Sequence, residues 1–260
     1  MNKPSFPTSL HQNTAELVRD FFSAIPNVDT VLVVNSCARG QAVPESDLDF
    51  AVLVKPETTT IEIENIEAAW LNYSVDQPIF LKYIKSNQFA HLHLDIINGK
   101  YIPAILETGA GSDFFEIEIG NHICYSAPMD DPGVYYKELQ KKWLPYYNEE
   151  LRLQRVTMIR NACDYDLTHI PFFIKRGLHF QAFDILIKAF QEYLQALFIV
   201  HKTYPIAYNK WIKYQVLNLL DRPDLYPNLS PILSVNNIES DEINDRVKML
   251  RELLNNLDIA

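Results

Sequence analysis

Two carboxylates, Asp47 and Asp49, follow closely on a polar turn, Asn35-Ser36-Cys37-Ala38-Arg39-Gly40, with apolar segments on both sides of the pair and the turn. Side chains alternate along a strand, so Asp47 and Asp49 project from one face while Leu48, Phe50, Val52 and Val54 occupy the other. Held together without compensation, two such carboxylates repel, so the pair asks for a cation. Oxygen donors favour Mg²⁺ or Mn²⁺ over zinc. Ser36 sits where a strand gives way to the turn, which places its hydroxyl and the following backbone N–H groups where a phosphate can be held. Metal ligands beside a phosphate cradle are the equipment for in-line displacement at phosphorus, and the chemistry predicted is nucleotidyl transfer.

The elements that must position these residues are legible in outline. Leu17, Val18, Phe21, Phe22 and Ile25 recur at helical spacing from about Asn13, and Pro26 ends that helix. Val31 to Val34, Leu48 to Val54, Ile79 to Ile84, His91 to Ile97 and Phe114 to Ile119 are short, apolar or alternating, and bounded by turn residues; they predict a sheet of about five strands. Ile61 to Leu71, with Ile63, Ile66, Ala69 and Trp70 at a helix-like period, predicts a helix crossing that sheet. The first half is therefore α/β or α+β. From Val134 onward the chain changes to helical runs rich in Leu, Tyr and Phe, divided by Pro145, Pro171, Gly177, Pro205 and Pro223. The cluster from Ala127 to Gly133 reads as a connector, so the expected division is a catalytic domain over 1–128 and a helical domain over 129–260.

Asn35-Ser36-Cys37-Ala38-Arg39-Gly40 followed by Ser46-Asp47-Leu48-Asp49 resembles the Gly-Ser, Ala-Arg-Gly and Ser-Asp-x-Asp signature of polymerase-beta-like nucleotidyltransferases, over the first hundred or so residues. The resemblance implies an α+β domain, a mixed sheet flanked by helices, with a third carboxylate on a later strand. In His91-Leu92-His93-Leu94-Asp95 the alternation places His91, His93 and Asp95 on one face, and Asp95 is the candidate for that carboxylate. By the resemblance, Asp47, Asp49 and Asp95 form the catalytic and metal-binding set, Asp95 takes the proton of the attacking hydroxyl, and Ser36 binds the outer phosphates. Ser46 and Arg39 support the loop or the triphosphate. One residue departs from the signature: Asn35 stands where glycine is usual, and asparagine is the other residue that readily accepts a left-handed backbone.

The helical half, through Lys188, Tyr193 and His201 to Tyr208-Asn209-Lys210-Trp211, more loosely resembles the C-terminal domains of enzymes that modify aminoglycosides and lincosamides. The resemblance implies an all-α bundle in which Lys188, Tyr208 and Lys210 reach the nucleotide. Lys188 reads equally well as a snorkelling surface residue, and Lys210 as a partner for a helix C-terminus. Arg39 has an alternative reading as a structural residue that pairs with Glu45 or another acid and holds the turn. His91 and His93, with no third histidine or cysteine near, read as residues of an exposed edge and not as a zinc pair. Cys37 reads as a small filler.

Composition bounds the partners. A formal net charge of −10 over 260 residues, 48% of them hydrophobic, describes a globular chain and disfavours any hold on long nucleic acid, which needs clustered Lys and Arg. Cys37, Cys124 and Cys163 match no metal spacing and read as free thiols of a cytoplasmic protein. The most apolar stretch, Ala182 to Val200, carries five polar or charged residues and reads as a buried helix, so no membrane partner is expected. The expected partners are a nucleoside triphosphate, ATP most simply, and a small-molecule hydroxyl acceptor; an acidic protein suits a cationic one. The competing readings are a protein side chain or RNA 3′ end as acceptor, and a degenerate nucleotide-binding module without turnover.

Overall fold

Leu48, Phe50, Val52 and Val54 are all buried, and the sheet is built around the strand they form, β2 (Leu48–Val54). The computed structural model describes residues 3–105 and 111–258, in two compact units. The first comprises Met1–Tyr101 with Glu118–Leu144, the second Ile102–Ile117 with Pro145–Ala260. The chain passes from the first unit to the second after Tyr101 and again after Leu144.

In the first unit, helix α1 (Ser9–Ser23) is capped by the Thr8 hydroxyl, which accepts from the His11 N–H. Strand β1 (Val28–Val33) then leads through the single-turn helix α2 (Asn35–Ala38) into β2, which returns antiparallel. Helix α3 (Thr60–Ser74) starts at a reciprocal box in which Thr59 and Glu62 satisfy each other's backbone N–H groups. Helix α4 (Pro78–Ile84) follows, and β3 (Leu92–Ile97) pairs parallel to β2. A two-residue strand, β4 (Ala127–Pro128), closes the other edge against β1, giving the order β3-β2-β1-β4. The sheet is mixed, as expected. Val18 and Phe22 of α1 and Ile66 and Trp70 of α3 pack in one core with Val31, Val33, Phe50 and Val52 of the sheet.

Two expected strands are helices. Ile79 to Ile84 lies in α4 because Pro78 opens the helix, where its fixed φ suits the first turn and its missing N–H leaves no bond unmade. A short apolar run carries no period that separates buried helix from buried strand. Phe114 to Ile119 forms α5 (Phe115–Ile119), opened by the Asp113 carboxylate, which accepts from the Phe115 N–H at 2.9 Å. Its Phe-Glu-Ile-Glu-Ile alternation imitates a half-buried strand, yet Glu116 is fully buried. The connector Ala127 to Gly133 contributes β4 and leads into α6 (Val134–Trp143).

The second unit is helical, built on α7 (Glu149–Lys175) and α8 (His179–Val200), which meet at Gly177 with φ +72°. The short helices α9 (Ile212–Tyr214) and α10 (Tyr226–Leu229) lead to α11 (Glu242–Asn255), whose Ile243, Val247, Leu250 and Leu254 complete the core. Asp113 and Glu116 are locked into this unit by a buried ion pair with Arg155. Arg155 grips both oxygens of Glu116 at 2.9 and 2.7 Å and reaches Asp113 at 2.8 Å; Tyr147 and Gln195 donate to the same carboxylate at 2.9 and 2.7 Å. No helix among the described residues is long and apolar enough to cross a membrane.

Candidate metal centre

The site begins where β1 ends. The Val34 N–H donates to the Asp49 carbonyl at 3.0 Å, the last rung between β1 and β2 before the chain turns. Asn35 then adopts φ +55°, a left-handed backbone, so the position where glycine is usual in the signature does use the conformation that glycine favours. Asparagine supplies it because its short polar side chain tolerates that region. The turn carries Ser36 to the start of α2, beside the rung that holds Asp49. Its Oγ is shielded from solvent and donates to no carbonyl or carboxylate among the described residues, a buried hydroxyl with capacity to spare.

Asp47 and Asp49 are half-buried at the head of β2. Beside them on β3, in parallel register, Asp49 stands opposite His93 and Ala51 opposite Asp95. Register partners point to the same face, so the imidazole of His93 falls next to the two carboxylates. One ligand atom each from Asp47, Asp49 and His93 lies within 4.8 Å of the others, and His93 Nε2 is 3.5 Å from Asp47 Oδ2. Asp95 lies two residues further along the strand and is exposed. The three expected carboxylates are therefore not brought together as one group: two of them meet a histidine, and Asp95 instead lies near enough to His122 to act on it electrostatically. Of the two histidines expected at an exposed edge, His93 lies on the edge strand β3 and His91 immediately before it, but the alternation could not reveal which residue β3 would place across from Asp49.

Under the carboxylates the chain is held by side chains that local spacing did not single out. The His11 ring, itself buried, donates from Nε2 to the Ser46 carbonyl at 2.9 Å, since a carbonyl only accepts, and its Nδ1 is hydrogen-bonded to the Thr8 hydroxyl at 2.7 Å. The Tyr83 hydroxyl shares its proton between the carbonyls of Ser46 and His91, each at 3.3 Å, and bridges β2 to β3 just before both site residues. Burial, with help from Cys37, Asp47 and Asp49, pushes that phenol well up, so it remains a neutral donor. Ser46 braces its own loop, its Oγ accepting from the Val43 N–H at 2.9 Å. The only signal for His11 was its place among apolar positions of α1, and Tyr83 lay in a segment read as a strand.

Arg39 donates from Nε to Gln41 at 3.0 Å and so braces the turn. Cys37 is buried, and its thiol is pushed up to about 12 by burial first and then by Asp49 and Asp47, which makes it a filler and not a nucleophile. Two carboxylates and an imidazole around one point are a donor set that fits a divalent cation. A cleft of about 700 Å³ elsewhere on this unit, lined by Lys3, Phe6, Met129 and Asp130 among others, includes none of these residues.

The remaining expected nucleotide ligands lie in the second unit. Lys188 is half-exposed and pairs with Asp184 at 3.0 Å, one turn before it on α8. Lys210 is exposed, and its carbonyl accepts from Gln215 at 3.0 Å. Tyr208 is buried; its phenol is pushed well up by burial and then by Glu116, and belongs to the interior of the helical unit.

Residues 16–104, which run from within α1 through β3 and include Ser36, Asp47, Asp49 and His93, match the family model described as polymerase beta, nucleotidyltransferase. No curated protein matches the chain at a significant level. Among solved structures, the nucleotidyltransferase-like protein from Exiguobacterium sibiricum 255-15 is similar over 95% of this chain and 75% of its own, with 13% sequence identity and a TM-score of 0.44. The segment that ends β1 in a left-handed turn at Asn35 and sets Asp47 and Asp49 at the head of β2 thus lies within the part of the chain that matches the polymerase beta nucleotidyltransferase domain.

Proposed function

We propose that this protein is a metal-dependent nucleotidyltransferase that moves a nucleoside monophosphate, AMP from ATP in the simplest case, to a hydroxyl of a small-molecule acceptor. The observation that carries the reading is the meeting of Asp47 and Asp49 with a third donor within 4.8 Å, beside the turn that bears Ser36.

In this reading the acceptor oxygen attacks the α-phosphorus, a new O–P bond forms, and the bond from that phosphorus to the bridging oxygen breaks. Pyrophosphate leaves with the electron pair, and the hydroxyl proton passes to a nearby base or to solvent. Asp47 and Asp49 would hold a divalent cation, which when bound would supply charge neutralisation at the reacting phosphate. Ser36 offers its unspent hydroxyl to the outer phosphates, and Arg39 and Ser46 hold the turn and loop that aim it. His11 and Tyr83 fix the backbone from which Asp47 projects, so little reorganisation is left for the reaction itself. Asp95, exposed two residues beyond His93, is placed to take a proton on the acceptor side. Lys188 and Lys210 remain proposed contacts of the helical unit with the nucleotide, and the acidic net charge favours a cationic acceptor.

The test is calorimetric titration of ATP and of GTP into the wild type and into an Asp47→Ala, Asp49→Ala double variant, with Mg²⁺ or Mn²⁺ present and then chelated. Binding that needs the metal and vanishes in the double variant supports the site. Binding indifferent to both removes it and leaves a degenerate nucleotide-binding module. Release of pyrophosphate on addition of hydroxyl-bearing small molecules then separates them from proteins and RNA as acceptors.

A further inference from the structure

We propose that His93 supplies the third ligand of the metal centre, and that the centre therefore selects a first-row transition ion such as Mn²⁺ over Mg²⁺. This inference rests on the metal-dependent reading above and narrows it to one donor set.

Three observations carry it. The parallel register sets His93, and not a carboxylate, directly across from Asp49. The Nε2 atom approaches Asp47 at 3.5 Å, so the imidazole faces the pair. Asp95 stands across from Ala51, about 6–7 Å further along the strand at the usual rise per residue, and is not part of the cluster.

Replacing a carboxylate by an imidazole changes the site in two ways. It lowers the formal charge of the ligand set from −3 to −2, which weakens the attraction for a hard ion whose binding is mainly electrostatic. It also introduces a nitrogen donor, which first-row transition ions accept more readily than Mg²⁺, an ion that demands oxygen. The two changes act in the same direction on the ratio of affinities. His93 lies on the edge strand β3 with its side chain 60% exposed, so it can adjust toward a cation without disturbing the core. The same exposure makes substitution at this position compatible with folding.

Calorimetry of MnCl₂ and MgCl₂ binding to the full chain without nucleotide, in the wild type, His93→Ala, His93→Asp and Asp95→Asn, tests the assignment, together with electron spin-echo spectroscopy of the Mn²⁺ form. The wild type is expected to bind Mn²⁺ at least about tenfold more tightly than Mg²⁺ and to show coupling to a ¹⁴N nucleus. His93→Ala is expected to lose that coupling and about tenfold or more of the Mn²⁺ affinity with little change for Mg²⁺, and His93→Asp to move the preference toward Mg²⁺. Unchanged Mn²⁺ binding in His93→Ala without ¹⁴N coupling in the wild type, or loss of binding only in Asp95→Asn, overturns the proposal. Either result leaves nucleotidyl transfer standing, because that reading falls only if Asp47 and Asp49 prove dispensable for metal-dependent nucleotide binding.

Discussion

His11 Nε2 lies 2.9 Å from the carbonyl oxygen of Ser46, a residue 35 positions away in the chain and immediately before Asp47. A buried histidine of the first helix thus sets the backbone from which a carboxylate of the proposed metal centre projects. Groups one step removed from a metal tune its affinity by about tenfold to a hundredfold. The expected result for His11→Ala is Mn²⁺ binding weakened by about tenfold or more at temperatures well below unfolding, with partial recovery in His11→Gln, which keeps a donor. Calorimetry alongside a thermal melt separates this from simple loss of fold, and unchanged affinity would assign the positioning to Tyr83 alone.

Asn35 holds φ +55° at the turn that carries Ser36. A β-carbon without a compensating polar group is disfavoured there, so Asn35→Ala is expected to cost about 1 kcal/mol of stability. In Asn35→Gly the relief of that backbone offsets the freedom gained by the unfolded chain, and stability should change by less than about 1 kcal/mol. Urea unfolding of the three proteins checks the order; an alanine variant as stable as the wild type would show that the turn opens without cost.

The Arg155–Glu116 pair is buried on both sides, and the Arg155 guanidinium, although burial works to lower its pKa, is held raised by Glu116 and Asp113. Removing one member strands the other charge, so Arg155→Met is expected to destabilise the protein by about 3–5 kcal/mol. Adding Glu116→Leu should recover part of that loss, since the stranded charge is then gone, while Tyr147 and Gln195 still lack their acceptor. A double variant no better than the single one in denaturant unfolding would place the cost in those hydrogen bonds.

Glu192 on α8 is fully buried, and burial first, then the neighbouring Asp166, raises its carboxyl to about 8, with the Gly111 backbone and Lys188 working the other way. The folded chain therefore holds this proton more tightly than the unfolded chain does. The stabilisation is fully present below about pH 4.5, the ordinary value, and is lost as pH rises through about 8. Glu192→Gln keeps the neutral form at every pH and is expected to gain on the order of a few kcal/mol over the wild type near pH 8.5, with little difference near pH 4.5. Parallel melting curves of the two proteins across that range would refute the assignment.

The stretch from Asn35 to Asp49 showed its chemistry in the sequence because everything needed was local: a polar turn, then two carboxylates at strand spacing between apolar runs. The capacity of Asn35 for a left-handed backbone was legible for the same reason, as were the helices around Trp70 and through the second half. Ile79 to Ile84 and Phe114 to Ile119 were misread because a short apolar run carries no decisive period. In the second of these, Glu116 imitates an exposed strand position only until its partner Arg155, distant in sequence, is known.

The sequence by itself determined the nucleotidyltransferase-type domain and the local setting from which Asp47, Asp49 and Ser36 are proposed as site residues, since alternation along one strand and the turn before it need no distant partner. Tertiary structure alone decided which residue stands across from Asp49. Parallel pairing of β2 with β3 depends on how two strands separated by two helices slide into register, and a shift of two residues would exchange His93 for Asp95 while leaving every side chain on the same face. Equally beyond the reach of local pattern were the hold of His11 and Tyr83 on Ser46, and the grip of Arg155 on Asp113 and Glu116, because each is made by contacts between residues far apart in the chain.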